Sequence, residues 1–312
     1  MHNTLISQHV PLHDKNWFAT GGAAEYYAAP KTAAEFQDAL RFAHTHALPI
    51  TMLGQGANCL INDTGIKGLV IQPHLKEITI LQDGLVTAGA GTTMHDLIDA
   101  CLAHNLVGLE EFSGIPGTVG GSVFINLHYF EFLLSQFLVT AHVMHKETGE
   151  IITVDNAWFA FGYNISTLHH APYYLIDATF QLQQTDALGA AYARGRSCEI
   201  IRHRVARYPS KNTCGSFFRN FLPDEVTHTS NGKKMIYVAY YLDKLGIKGQ
   251  LQVGDAIVSH QHANMIVNRG NATTDDIIKL AHTMQTIVHE KFGIMPHPEC
   301  RLLGFKDYPL LR

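Results

Sequence analysis

Apolar positions along the first two thirds of the chain alternate between two rhythms, one residue in two over short stretches and one in three or four over longer ones. Glu25-Tyr-Tyr-Ala-Ala-Pro30 reads as a strand stopped by proline. Thr32-Ala-Ala-Glu35 then has the pattern of a capping box, and Phe36, Leu40 and Ala43 recur on one face of a helix predicted to end near His46. Leu48-Pro-Ile-Thr-Met-Leu53 and Gly68-Leu-Val-Ile71 are short strands on either side of a glycine turn, Leu53-Gly54-Gln55-Gly56-Ala57-Asn58. Ile78-Thr-Ile-Leu81 and Leu85-Val-Thr-Ala-Gly89 flank Gln82-Asp83-Gly84, a hairpin signal, because Asp-Gly supplies the positive φ angles of a tight turn. A helix opening at Thr93-Met-His-Asp96 buries Leu97, Ile98, Cys101 and Leu102, and delivers the chain to Gly114-Ile-Pro-Gly-Thr-Val-Gly-Gly121. Strands at Val139–His145, Ile151–Val154 and Tyr174–Leu182 continue a mixed sheet.

Past Leu182 the pattern changes. Thr185–Gly189 is predicted to be a flexible connection, and Arg194–Arg207 a solvated amphipathic helix around Ile200, Ile201 and Val205. The C-terminal part is expected to hold a helix from Lys233 to Leu245 ended by Gly246 and strands at Ala256–Val258 and Met265–Val267. Its clearest element is a helix opened by Thr273-Thr-Asp-Asp276, with Ile277, Leu280, Ala281, Met284, Ile287 and Val288 on one face and Gly293 just beyond its end.

The two glycine loops carry the first chemical signal. Backbone free of side chains approaches a ligand closely, and converging N–H groups hold phosphate oxygens. One such loop is more often a plain turn; two in one domain point to a ligand with two phosphates. Composition narrows the partners. At 312 residues the chain calls for two or three subdomains, and 23 Lys plus Arg against 27 Asp plus Glu, with no basic block, argue against nucleic acid or a membrane surface. Five widely spaced cysteines with no Cys-x-x-Cys indicate neither a disulfide framework nor a zinc site. Among 20 histidines, the pairs His44-Thr-His46 and His260-Gln-His262 lack an acidic or cysteine partner at ligand spacing, so the histidines are read mostly as surface or local hydrogen-bonding residues and no metal is expected. The start of the chain lacks the pattern of a signal peptide and no stretch is apolar enough to span a bilayer, so a cytoplasmic protein is expected.

Several motifs, in order, resemble one family, the UDP-N-acetylenolpyruvoylglucosamine reductases, or UDP-N-acetylmuramate dehydrogenases. They are Gly21-Gly-Ala-Ala-Glu-Tyr26, Leu53-Gly-Gln-Gly-Ala-Asn-Cys-Leu-Ile-Asn-Asp63, Gly114–Gly121, Gly215-Ser-Phe-Phe-Arg-Asn220, Val258-Ser-His-Gln-His-Ala-Asn264 and Pro298-Glu-Cys-Arg-Leu-Leu-Gly304. The resemblance implies an α+β protein: a bipartite FAD-binding domain of the vanillyl-alcohol-oxidase type, with lobes at 1–72 and 73–190, a substrate-binding domain at 191–300, and a tail at 301–312 returning toward the FAD domain. It implies an FAD- and NADPH-dependent reductase acting on a UDP-sugar enolpyruvate in peptidoglycan precursor synthesis, as a monomer or weak oligomer. A Rossmann arrangement is disfavoured, since neither loop gives Gly-x-Gly-x-x-Gly between strand and helix. A paralogue acting on another substrate and a non-catalytic FAD-binding protein are the alternatives.

Carried over residue by residue, the resemblance assigns FAD contacts to Gly54, Gln55, Gly56, Ala57, Asn58 and Leu60, and to Gly114, Ile115, Pro116, Gly117, Thr118, Gly120, Gly121 and Asn126. Ser216 matches the proton donor and Glu299 the acid that hydrogen-bonds a developing enolate; Tyr163, Arg204 and Asn220 fall at substrate positions. Four departures stand out. Asn164 occupies the place of an arginine that faces the substrate carboxylate, which removes a charge-assisted bond, and Arg202, Arg204 and Arg219 are the candidates to replace it. Asn126-Leu-His-Tyr-Phe-Glu131 is bulky where the family has small residues. Phe221 stands where proline is usual, and Trp17-Phe-Ala-Thr20 where a threonine and a basic residue are common.

Overall fold

The computed structural model describes residues 5–230 and 232–311. The first four residues of the N-terminal arm, Asn231, and Arg312 of the tail lie outside them. The chain divides into two compact units. The first takes in the chain up to Gln8, Tyr26–Gln55 and Gly68–Arg204; the second takes in His9–Glu25, Gly56–Lys67 and the chain from Val205 onward. No helix among the described residues is long and apolar enough to cross a membrane.

In the first unit, helix α1 (Ala33–Thr45) is capped as its sequence predicts: Thr32 Oγ1 accepts from Glu35 N at 3.1 Å. The Glu35 carboxylate reaches back one residue further than a capping box requires, to Lys31 N at 2.6 Å. Phe36, Ala39, Leu40 and Ala43 are buried against Leu69, Ile71, Met144 and Ile176. Ile50–Met52 pairs in parallel with Ile66–Ile71 at one edge of a four-stranded sheet.

A five-stranded antiparallel sheet orders Ile151–Asp155, Leu138–His145, Tyr173–Gln181, Leu85–Gly89 and Ile78–Ile80. Across it, Ala141, Ala178 and Ala88 stand side by side and fully buried, a row of small residues that leaves room for a helix to approach. The expected hairpin turn is present, with Asp83 at φ 57° and Gly84 at φ 77°. Helix α2 (Met94–Ala103) is capped by Thr93, whose Oγ1 accepts from Asp96 N at 3.0 Å. Helix α3 (Val119–Phe124) grows directly out of the second glycine stretch.

Helix α4 (Ala187–Arg207) corrects the flexible connection expected at Thr185–Gly189. Asp186 Oδ1 accepts from Gly189 N at 2.8 Å, an N-cap, and Ala187, Ala190, Ala191 and Ala193 offset the weak helix propensity of Gly189 and Gly195.

In the second unit a short antiparallel pair, Ser230 opposite Lys233 and Thr229 opposite Lys234, takes residues expected to open a helix. The helix α5 is confined to Val238–Lys244. Met235 N bonds His228 O at 3.0 Å and Lys234 Nζ donates to Pro223 O, so local partners hold this stretch extended. Helix α6 (Thr274–Phe292) has a reciprocal capping box between Thr273 and Asp276 and ends on Gly293 at φ 70°. Asp63 adds a cap from far along the chain, accepting Thr274 N at 2.7 Å and Thr274 Oγ1 at 2.8 Å. The buried face of α6 packs with Phe217, Phe218, Phe221, Tyr241, Val258 and Ile266 in this unit's core.

Thr273→Ala removes one half of the box and is expected to lower stability by about 1 kcal/mol. The urea midpoint falls at unchanged m if only the cap is lost.

Candidate functional site

In the first unit, Gly54 and Gln55 of the first glycine stretch are held in register with the second stretch. Gln55 Oε1 accepts from Gly117 N at 2.8 Å, and Gln72 Nε2 donates to Gly54 O at 2.6 Å. A Cβ at Gly54 would lie 2.8 Å from Thr118 Oγ1, so glycine lets the two stretches touch. The donors divide unequally between them. In the second stretch Val119 N and Gly120 N bond Thr92 O and Ala90 O, each at 2.8 Å, and Gly121 N bonds Thr118 Oγ1. Those glycines supply shape, with their N–H groups already engaged. Among the described residues, the N–H groups of Gly54, Gln55, Gly56, Ala57 and Asn58 have no internal acceptor, which makes that loop the better anion cradle.

Next to α3, Asn126 ties two loops together. Its Nδ2 donates to Gly162 O at 3.3 Å and its Oδ1 accepts from Ser135 N at 3.1 Å. The bulky residues that follow form a small antiparallel pair, His128–Tyr129 with Phe132–Leu133. The His128 ring lies 5.0 Å from that of Tyr163, between centroids. Asn164 follows at φ 57°, and both ends of its side-chain amide are buried without a hydrogen-bond partner. Of the arginines expected to replace the missing charge, Arg202 is bonded to Glu199 on its own helix, and Arg219 is clamped bidentately by Glu225 at 2.8 and 2.6 Å. The Arg219 hydrogen bond also holds the Glu225 carboxyl down at about 2. Arg204 donates from Nε to Gly114 O at 3.1 Å and lies over the Tyr129 ring at 5.4 Å, so the enlarged loop has become its support.

In the second unit Ser216 and Glu299 are brought together by backbone. Phe217 O accepts from Glu299 N at 2.8 Å and Cys300 N at 3.2 Å. On its other side Phe217 N donates to Asn264 O at 2.8 Å, and Ser216 bridges to Met265. The Asn264 side chain completes the clamp through Phe218 O at 2.7 Å and Phe218 N at 3.1 Å. Asn58 joins from the glycine turn, accepting Arg301 N at 3.0 Å and reaching Glu299 O at 3.5 Å, while its Oδ1 is buried and unpartnered. Ser216, Asn220 and Glu299 are each half-buried.

The motif Val258–Asn264 contains Asn264 without marking its role as a clamp; its signal is an amide just before the apolar strand at Ile266–Asn268. Three thiols also gather here. Burial pushes Cys59 up to about 12 and Cys300 well above the ordinary thiol range, the latter also hydrogen-bonded to Cys214. They are inert packing groups rather than nucleophiles. Phe221, in place of proline, donates its N–H to Ile236 O at 2.8 Å, a bond proline lacks. Trp17 N bonds Gly56 O at 3.0 Å, so the departure at Trp17–Thr20 is built into the glycine turn's surroundings.

The chain matches the family model of an FAD binding domain over residues 24–155 and that of the UDP-N-acetylenolpyruvoylglucosamine reductase C-terminal domain over residues 207–303. The fold is thus α+β, and the protein is an FAD-dependent oxidoreductase with a specialised C-terminal domain. A reductase of that name from Synechococcus sp. (strain JA-3-3Ab) is 33% identical over 98% of this chain and 94% of its own length. One from Lactobacillus delbrueckii subsp. bulgaricus is 36% identical over 96% and 95%. The crystal structure of the enzyme from Thermus caldophilus superposes with a TM-score of 0.76 at 27% identity, covering 95% of this chain and 98% of that one. The chain belongs to the UDP-N-acetylenolpyruvoylglucosamine reductase family.

One histidine of the second unit departs from the surface role expected of it. His262 is largely buried, its Nδ1 unpartnered and its ring 5.2 Å from Tyr208; burial first, then Arg207 and Lys248, lower it to about 4. In the unfolded chain it protonates near 6.5, so the stability gained by keeping it neutral is complete above that pH and lost as pH falls toward about 4. The loss amounts to roughly 3 kcal/mol. Urea midpoints at pH 7.5, 6 and 4.5 should fall more steeply for the wild type than for His262→Gln; parallel curves would contradict the assignment.

Proposed function

We propose that the protein reduces UDP-N-acetylglucosamine enolpyruvate to UDP-N-acetylmuramate with NADPH, in the cytoplasmic synthesis of peptidoglycan precursors. The observation that carries this reading is the Phe217 junction, which sets Ser216 and Glu299 on adjacent backbone in a chain related to these reductases along nearly its whole length. FAD, when bound, accepts hydride from NADPH and passes it on to the enol ether. The donor set fits that group: the unengaged amides of residues 54–58 suit its pyrophosphate, with Gln55 and Thr118 fixing the second stretch, Gly114–Gly121, alongside. Asn126 supports this site through the loops its amide holds, whereas the Leu60 side chain is fully buried in the second unit's core.

Roles are assigned unit by unit. Hydride arriving at one carbon of the enol ether leaves negative charge on the carbon bearing the carboxylate. Ser216 delivers a proton to that carbon; a hydroxyl is a weak acid, and it serves here because a carbanion is a strong base. Glu299 hydrogen-bonds the enolate that precedes protonation. Asn220 binds substrate in the second unit, and Tyr163, Asn164 and Arg204 in the first.

Ser216→Ala should confine its defect to reoxidation of the reduced flavin by the enolpyruvyl substrate, slowing that half-reaction by about a hundredfold or more. Stopped-flow absorbance separates the two halves. A flavin that NADPH reduces and this substrate never reoxidises, in the wild type, would sink the assignment.

A further inference from the structure

The first unit concentrates strain and unmet polarity in one place. Asn126, Phe130, Ala160 and Asn164, all non-glycine, have φ between 42° and 57°. They lie on the two loops that the Asn126 side chain holds together. Strain of this kind persists where surrounding structure enforces it, and a buried amide with neither end bonded calls for a ligand. The patch is also short of charge. Arg196 is engaged by Glu111 at 2.9 Å through two nitrogens, Arg202 by Glu199, and Arg204 by Gly114 O and the Tyr129 ring. His128, whose ring lies 5.0 Å from that of Tyr163, is a group of this patch that can change from neutral to cationic.

We propose that His128 takes up a proton from solvent when the enolpyruvyl substrate binds, and that its imidazolium meets the substrate carboxylate in place of the arginine absent at Asn164. This rests on the function proposed above. The bond made is N–H···O between ring and carboxylate; one proton leaves solvent per substrate bound, and no covalent bond changes. The Asn164 amide supplies a neutral donor to the same carboxylate, while Tyr163 packs against the ring.

Burial keeps the free His128 below its ordinary value of 6.5, and the backbone carbonyl of Asn126 opposes that by favouring the protonated ring. An arriving carboxylate adds to the second effect. The ionisable groups on elements packed against His128–Tyr129 are Glu110 and Glu111 of the turn Leu109–Phe112, with Arg196 on Glu111 and Arg204 on Tyr129; on the neighbouring loops they are Glu131, Tyr163 and His169. Glu111 is paired, and Glu110 accepts Gly108 N at 2.5 Å, so both carboxylates are already committed.

The consequence is a pH-dependent affinity that a permanent guanidinium would not give. Substrate binding is tightest below the pH at which free His128 titrates, weakens as pH rises through the window up to its bound-state value, and levels off beyond. Calorimetry of UDP-N-acetylglucosamine enolpyruvate on the oxidised flavoprotein, in two buffers of different ionisation heat, should show uptake of about one proton within that window. The dissociation constant should rise by about tenfold to a hundredfold from pH 5.5 to pH 8.5. His128→Gln should abolish the uptake and flatten the pH profile near the wild type's high-pH affinity, with flavin absorbance as the check on folding and His128→Asn as the second variant. Wild-type binding without proton uptake, or uptake retained in His128→Gln, would overturn the proposal. Absence of any wild-type binding would instead count against the function on which it rests.

Discussion

The chemistry of the second unit depends on one peptide group. Phe217 O accepts both Glu299 N and Cys300 N, and Phe217 N is spent on Asn264 O, so a single buried residue joins three segments distant in sequence. Its ring is fully buried and cannot shift without opening the core around α6. Ser216 immediately precedes Phe217 and Glu299 joins the junction through its own N–H on a separate segment, so their spacing follows from backbone hydrogen bonding. Placing the two side chains proposed to act on substrate beside a fully bonded backbone holds them to the tolerances that proton transfer demands.

The same economy explains the buried thiols. Cys300 belongs to the junction through its N–H, Cys214 lies three residues before Phe217, and Cys59 is the register partner of Arg301 in the adjoining parallel pair. Small apolar groups are needed where three backbones approach, and cysteine meets that need at low volume. Burial pushes the Cys59 and Cys300 thiols upward, which keeps these two in the unreactive protonated form.

Much of this was legible in the sequence wherever local physics decides. The capping residues of α1, α2 and α6, the Asp83-Gly84 turn and the Gly293 stop are encoded within a few residues of where they act. The structure departs from the sequence reading where a specific hydrogen-bonded pairing or cap overrides residue propensity. Lys233 and Lys234 pair with Ser230 and Thr229 instead of opening a helix. Asp186 caps a helix whose first turn contains two small residues and reads as a linker. The glycine stretches looked equivalent in sequence, and hydrogen bonding separates them, since the N–H groups at Gly117, Gly120 and Gly121 are consumed at home. No local pattern could have revealed that.

The loop at Asn126–Glu131 and the amide at Asn164 look like independent departures when read along the chain, yet they are neighbours in space. A guanidinium packed against the half-buried rings of His128 and Tyr129 would lose part of its hydration permanently, a cost it recovers only while an anion is bound. A titratable ring avoids that cost by remaining neutral until the anion arrives. The half-buried bulk of His128 and Tyr129 then has a physical use: it lowers the local dielectric, which strengthens the ion pair once formed and disfavours the lone cation before it. Loss of the arginine and enlargement of the loop are thereby one change in how charge is supplied, from fixed to conditional, and each alone would leave the carboxylate less well held than the two together.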